Sequence, residues 1–200
     1  MTEPRIPPLP ANEWSEDAID AIRAAFGDRA AEHTRTAAHV PNVLTTMVRH
    51  PALAGPFLVY NAVLLNAPTL DPRHRELMIL RVAWRTRSRY EWVQHVRMAA
   101  SRGISSHEIA AIGGSGDAEW PPLEADLLAA TDQLLDVYRI DDDTWARLAA
   151  RLDERQLIEV PFVVGTYTCL AMAFNSLGLQ LDPDLDAVPA PPFPDDGAAT

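Results

Sequence analysis

The chain has 200 residues, 48% of them hydrophobic and 22% charged, with a formal net charge of −11, the proportions of a globular protein of one or at most two domains. The acidic balance, with a pI near 4.9, excludes the broad basic surface that phosphate backbones need, so no nucleic acid partner is expected. Lysine is absent and cysteine occurs once, at Cys169, which removes Schiff-base and pyridoxal-phosphate chemistry, a Walker-type phosphate lysine, an intrachain disulfide, dithiol redox cycling and a cysteine-rich zinc site.

The N-terminal run MTEPRIPPLPANEW carries no apolar leader. No apolar run reaches the ~18 residues of a membrane-spanning helix, so no membrane partner and a cytoplasmic address are expected. Pro4, Pro7, Pro8 and Pro10 predict an extended arm over residues 1–12. Pro183, Pro189, Pro191, Pro192 and Pro194 predict a proline-rich tail over residues 182–200. Residues 13–181 show helical apolar spacing without a convincing alternating run, which predicts an all-α fold in one helical domain.

Within it, Ser15 is placed to cap a helix that runs to Ala25 and stops at Gly27. Helices follow over 42–50 and 51–65, the second with Pro51 in its first turn. Asp71-Pro72 is a stronger start, a capping carboxylate followed by a residue whose missing N–H costs nothing there; that helix should reach Thr86. The next spans 90–102 and ends at Gly103, and Ser105 with Glu108 has capping-box spacing for a short helix up to Gly113. Helices over 122–138, 143–152 and 154–177 complete the set, with Pro161 and Gly165 expected to bend or break the last. Cys169 lies in its apolar run and is expected to be buried and inert.

The segment from Arg73 to Gly103 inverts the charge of the chain: eight arginines oppose only Glu76 and Glu91. Guanidinium groups pair with carboxylates in fixed geometry, so the segment suits a small anionic ligand. Glu76 shares a helical stripe with Ile79, Leu80 and Ala83, which turns its carboxylate toward the interior as a candidate acid–base group. Glu91 and His95, at i and i+4, stand on one face and can hydrogen-bond, fixing the imidazole tautomer. Two well-solvated helix faces would have the same composition.

The run LDPRHRELMILRVAWRTRSRYEWVQHVRMAASRGISSHEIAAI closely resembles the carboxymuconolactone decarboxylase family, which includes the alkylhydroperoxidase D-like proteins. Its REL-x-x-L helix supplies Glu76 at the family's glutamate position, and His95 matches the family's histidine. The peroxidase branch carries Cys-x-x-Cys ahead of that histidine, with a further histidine inside the motif. Here Ser88 and Glu91 take the cysteine positions and Tyr90 the inner histidine, which rules out thiol peroxidase chemistry.

The decarboxylase branch also lacks the cysteine pair. The resemblance therefore implies an alkylhydroperoxidase D-like helical bundle and a cofactor-independent lyase acting on a small anionic organic acid or lactone. Its catalytic set would be Glu76, Tyr90, Glu91 and His95, with Arg81, Arg85, Arg89, Ser88 and Trp92 toward substrate and no metal. Tyr167 and Asn175 of the last helix, or Trp14, Phe57, Tyr60 and Asn61 of the N-terminal part, could line the pocket. The resemblance further implies self-assembly as a homotrimer or homohexamer, with a dimer also open, and the apolar last helix offers surface for it. A catalytically silent binding or assembly protein on the same scaffold is the alternative.

Overall fold

The computed structural model describes residues 3–37, 39–183, 185 and 193. Among them are ten α-helices, two short 3-10 helices and no strand, as the apolar spacing predicts. They fall into two compact units. One runs to Pro68 and resumes at Ser176–Pro183; the other is formed by Thr69–Asn175.

The first unit holds α1 (Glu16–Phe26), α2 (Asp28–Thr36), α3 (Asn42–Met47) and α4 (Pro51–Asn66). Ser15 caps α1 by accepting from the N–H of Ala18, and Gly27, at φ +86, ends it. Gly27 then serves as the N-cap of α2. That helix is an addition to the expected set, because DRAAEHTRT carries no apolar stripe and Gly27 reads only as a stop. The core is Ala18, Ile19, Ile22, Ala31, Val48, Ala54 and Leu58, all buried, with Trp14 and Leu44 packed against it. Gly55 lets α4 approach α1 closely: a Cβ there would sit 3.5 Å from the Cβ of Ala21. The N-terminal arm is tied down by Arg5 N–H to Leu177 O and Leu9 N–H to Thr45 O, both 2.9 Å. The returning segment is held by Asn42, which donates to Gln180 O, Leu181 O and the buried Asp182 carboxylate. Most of the tail expected over 182–200 lies outside the described residues.

The second unit is built around α5 (Pro72–Arg85) and α6 (Arg89–Ala99), followed by α7 (Ser106–Ile112), α8 (Pro122–Val137), α9 (Asp142–Ala149) and α10 (Glu154–Leu177) as far as Asn175. The Asp71 side chain accepts from the Arg73 N–H and Pro72 occupies the first turn. Leu77, Met78, Ile79, Leu80, Val82 and Ala83 of α5 are all fully buried, so this helix is enclosed on nearly every side. Arginines on its remaining face grip α8. Arg73 meets Glu124 through two nitrogens at 2.9 Å and also Glu108. Arg81 meets Asp132 with two bonds of 2.8 Å, and Arg85 meets Asp132 at 2.6 Å and Asp136. The Ser105–Glu108 capping box forms as the spacing predicts.

Two expectations about α10 are corrected. The helix runs unbroken through Pro161 and Gly165, packing on one face with Val160, Val163, Val164, Tyr167, Leu170, Ala171 and Phe174. By length and composition it is also apolar enough to cross a membrane, contrary to the expectation of no such run, although more than half of that stretch is buried within the chain, as in the core helix of a folded unit.

Candidate active site

Glu76 and Arg75 sit in the second turn of α5, 1% and 2% exposed, and His95 in the second half of α6, 7% exposed. Nδ1 of His95 lies 2.6 Å from Oε1 of Glu76. A carboxylate at Nδ1 orients the ring and leaves Nε2 as the nitrogen for chemistry. Tyr167 of α10 stands edge-on to the imidazole, with ring centroids 5.1 Å apart at 82°. Burial raises the Tyr167 phenol well above its ordinary range; Arg75 pulls it down, and Glu76 and Glu91 push it up. Those four side chains therefore share one neighbourhood of low dielectric.

The expected Glu91–His95 hydrogen bond is not made. Both carboxyl oxygens of Glu91 are buried without a hydrogen-bond partner, because the imidazole turns its Nδ1 across to α5. Helical spacing put the two side chains side by side on α6, but Glu76 offered the bond. Burial raises the Glu91 carboxyl to about 8. The nearby Ser88 hydroxyl opposes this weakly, although it makes no bond of ordinary geometry and is itself buried without a partner.

The other candidates divide. Tyr90 is buried, accepts from Gln94 Nε2 at 3.2 Å and sets its ring edge against Phe174. The guanidinium groups of Arg81 and Arg85 are held by Asp132 and Asp136 of α8, and Arg81 also lies over the Trp84 ring. Arg89 is exposed at the start of α6. Trp92 is buried against the end of α7, where a Cβ on Gly113 would come within 3.3 Å of its ring. Asn175 donates to Thr86 O, and Trp14 donates to Leu9 O in the first unit. Cys169, expected to be buried, is exposed, on the face of α10 opposite its packed stripe. Among the described residues no three His, Cys, Asp or Glu side chains gather as a metal site would require.

The buried arginine of the site, Arg75, was missed, though its signal is present: it precedes Met78, Ile79 and Val82 by three, four and seven residues, the spacing of an inward face. Tyr167 shows the same spacing to Val160, Val163, Val164, Leu170, Ala171 and Phe174.

Residues 51–133 match the carboxymuconolactone decarboxylase family, a span that contains Arg75, Glu76, Ser88, Glu91 and His95. Over that segment, less than half of the chain, the sequence is similar to the carboxymuconolactone decarboxylase family. Solved structures share the fold. A peroxidase-related protein from Ralstonia eutropha JMP134, described as an alkylhydroperoxidase D core, is 16% identical, with 92% of this chain and 95% of that one covered at a TM-score of 0.71. A peroxidase-related protein from Silicibacter sp. TM1040 is 15% identical over 94% and 98% of the two chains, also at 0.71. The debrominase Bmp8, determined in complex with 2,3,4-tribromopyrrole, is 14% identical over 89% and 91%, at 0.69. No curated protein matches the sequence.

Proposed function

We propose that this carboxymuconolactone decarboxylase-like protein is a cofactor-independent lyase that performs acid–base chemistry on a small anionic organic acid or lactone, with Glu76 and His95 as its centre. The observation that carries the reading is the buried 2.6 Å bond between Glu76 and His95 Nδ1, which aims a fixed imidazole through Nε2 and provides a carboxylate to stabilise the imidazolium. In a decarboxylation the bond from the carboxyl carbon breaks and its electron pair moves into the conjugated carbonyl. CO₂ leaves, a proton from His95 Nε2 forms the new C–H bond, and solvent reprotonates the ring. Water exclusion favours the loss of CO₂, because a carboxylate stripped of solvent decarboxylates more readily. Serine and glutamate at the two cysteine positions of the peroxidase branch support a proton-transfer reading over thiol redox. The reading carries the cytoplasmic address expected from the sequence.

Screening small lactone acids for CO₂ release tests it. His95→Ala should lower turnover by at least ~10²-fold, the scale of a lost acid–base group, with unchanged helical content by circular dichroism. Undiminished turnover in that variant would remove His95 from the mechanism. The near-complete enclosure of Glu76 and His95 favours a second reading, a silent scaffold in which the pair only staples α5 to α6. There the screen would find no substrate, and His95→Ala would lower stability alone.

Self-association belongs to the same proposal, with a second copy as the occupant of the outer face of α10. Ile158, Phe162, Gly165, Cys169 and Met172 are exposed there, and their spacing of four, three, four and three is the apolar repeat with which helices pair along a seam.

A further inference from the structure

Two pairs of rings join α6 to α10. Tyr90 stands edge-on to Phe174, with centroids 5.4 Å apart at 71°, and His95 stands edge-on to Tyr167 at 5.1 Å and 82°. The pairs are taken in opposite chain order, so the two helices run antiparallel along this contact. All four residues are buried, and Tyr167 and Phe174, seven residues apart, lie on the same packed face of α10. Edge-to-face contact at such separations is the arrangement that aromatic quadrupoles prefer.

The two contacts are alike in geometry, but only one of them bears on a group that moves protons. An imidazole turns about a broad, roughly two-fold torsion rather than sitting in sharp staggered wells. The bond between His95 Nδ1 and Glu76 Oε1 sets which way round the ring lies, yet a single hydrogen bond tolerates a considerable swing of the ring plane. The direction of Nε2 turns with that plane. A proton donor has to be held within roughly 10–20° of its productive direction, closer than one bond enforces. The Tyr167 ring, nearly perpendicular to the imidazole, fills the space into which the plane would swing. Burial raises the Tyr167 phenol above its ordinary range, so the side chain stays protonated and neutral, neither a base nor a counter-ion for the imidazolium. What it offers His95 is the face and edge of a ring.

We propose that Tyr167 is the positioning residue of the site: its ring fixes the plane of the His95 imidazole, and with it the direction of Nε2, while Glu76 fixes the tautomer. The proposal rests on the acid–base reading above for its catalytic meaning. It deepens that reading by placing on α10 a side chain on which proton transfer depends, although it acts through His95 alone.

Relaxation of the ¹³C nuclei in the His95 ring of the full chain, read beside the ring's ¹⁵N spectrum at one pH, tests the assignment. In the unsubstituted protein the ring should be as ordered as helix backbone, with an order parameter of about 0.85. Tyr167→Leu should lower it below about 0.6. Tyr167→Phe, which keeps the ring and drops the hydroxyl, should hold the native value. Phe174→Leu removes the twin contact and should lower stability while leaving the His95 ring ordered, which separates positioning from packing. Glu76→Ala should lose the Nδ1 proton and keep the ordered plane. A mobile ring in the unsubstituted protein or in Glu76→Ala would overturn the proposal, and both results are obtained even where Tyr167→Leu does not fold. An ordered ring in Tyr167→Leu, a mobile one in Tyr167→Phe, or equal loosening in Tyr167→Leu and Phe174→Leu would overturn it as well. With a lyase substrate in hand, Tyr167→Leu should lower kcat at least ~10-fold and change KM less than ~2-fold. Ring order that follows Tyr167 in a protein that releases no CO₂ keeps the positioning and removes the lyase reading, whereas an active lyase whose His95 ring ignores Tyr167 defeats the positioning alone.

Discussion

At Glu91 a carboxyl is enclosed in the second unit with its pKa raised to about 8 by burial, whereas in the unfolded chain it takes its ordinary value near 4.5. Below that ordinary value both states hold the proton and Glu91 adds no pH dependence. Between about 4.5 and 8 the folded state keeps a proton that the unfolded state has released, so stability falls steadily as pH rises, and it levels off above 8. The total effect is on the order of a few kcal/mol. Thermal unfolding from pH 5 to pH 9 should show Tm declining over that window, and Glu91→Gln should flatten the decline and raise Tm at pH 9. A steep decline that persists unchanged in Glu91→Gln would assign the titration to another group. His95 and Glu91 also mark where reading one residue's neighbours along its own helix stops working. Helical spacing correctly placed them on one side of α6, but it carries no information about Glu76, a residue on a different helix that satisfies the imidazole at 2.6 Å.

Among the elements, the starts of α5 and α7 were legible in full, because Asp71-Pro72 and Ser105-x-x-Glu108 are local chemistry that needs nothing from the rest of the fold. The start of α6 was not: Ser88-x-x-Glu91 carries the same pattern, and only the left-handed Arg87 and the tie from Ser88 N–H to Ala83 O leave it unmade. The two serines should accordingly answer the same substitution differently. Ser105→Ala removes a working cap and should cost about 1 kcal/mol; Ser88→Ala removes a buried hydroxyl with no partner and should cost little or even stabilise. Urea unfolding of the two variants measures the contrast, and an equal loss in both would mean that Ser88 has a bond in solution. The grip of α5 on α8 was legible only as an excess of arginine, since the matching Asp132 and Asp136 lie some fifty residues on. Asp132→Ala removes the carboxylate that two partly buried guanidinium groups share and should destabilise by about 1–3 kcal/mol, again by urea unfolding. A change within error would place those pairs among surface contacts that contribute nothing.

For the whole molecule, the all-α architecture and the family resemblance were readable because both depend on residues close in sequence. The division into two units, the unbroken passage of α10 through Pro161 and the outward turn of Cys169 were not, because they depend on which face of a uniformly apolar helix the other helices take. That outward face yields a prediction at this scale. Light scattering should show more than one copy per particle, and Phe162→Glu should shift the protein toward the monomer while leaving its helical content intact; a wild-type monomer would end the role given to α10. The central claim is that Glu76 fixes His95 with Nε2 left for proton transfer. Its most direct measurement is the ¹⁵N spectrum of the His95 ring in the intact protein. The account predicts a proton on Nδ1 that exchanges slowly with solvent and is lost from that position in Glu76→Ala. A His95 ring protonated at Nε2 alone, or one whose spectrum is indifferent to Glu76→Ala, would contradict it.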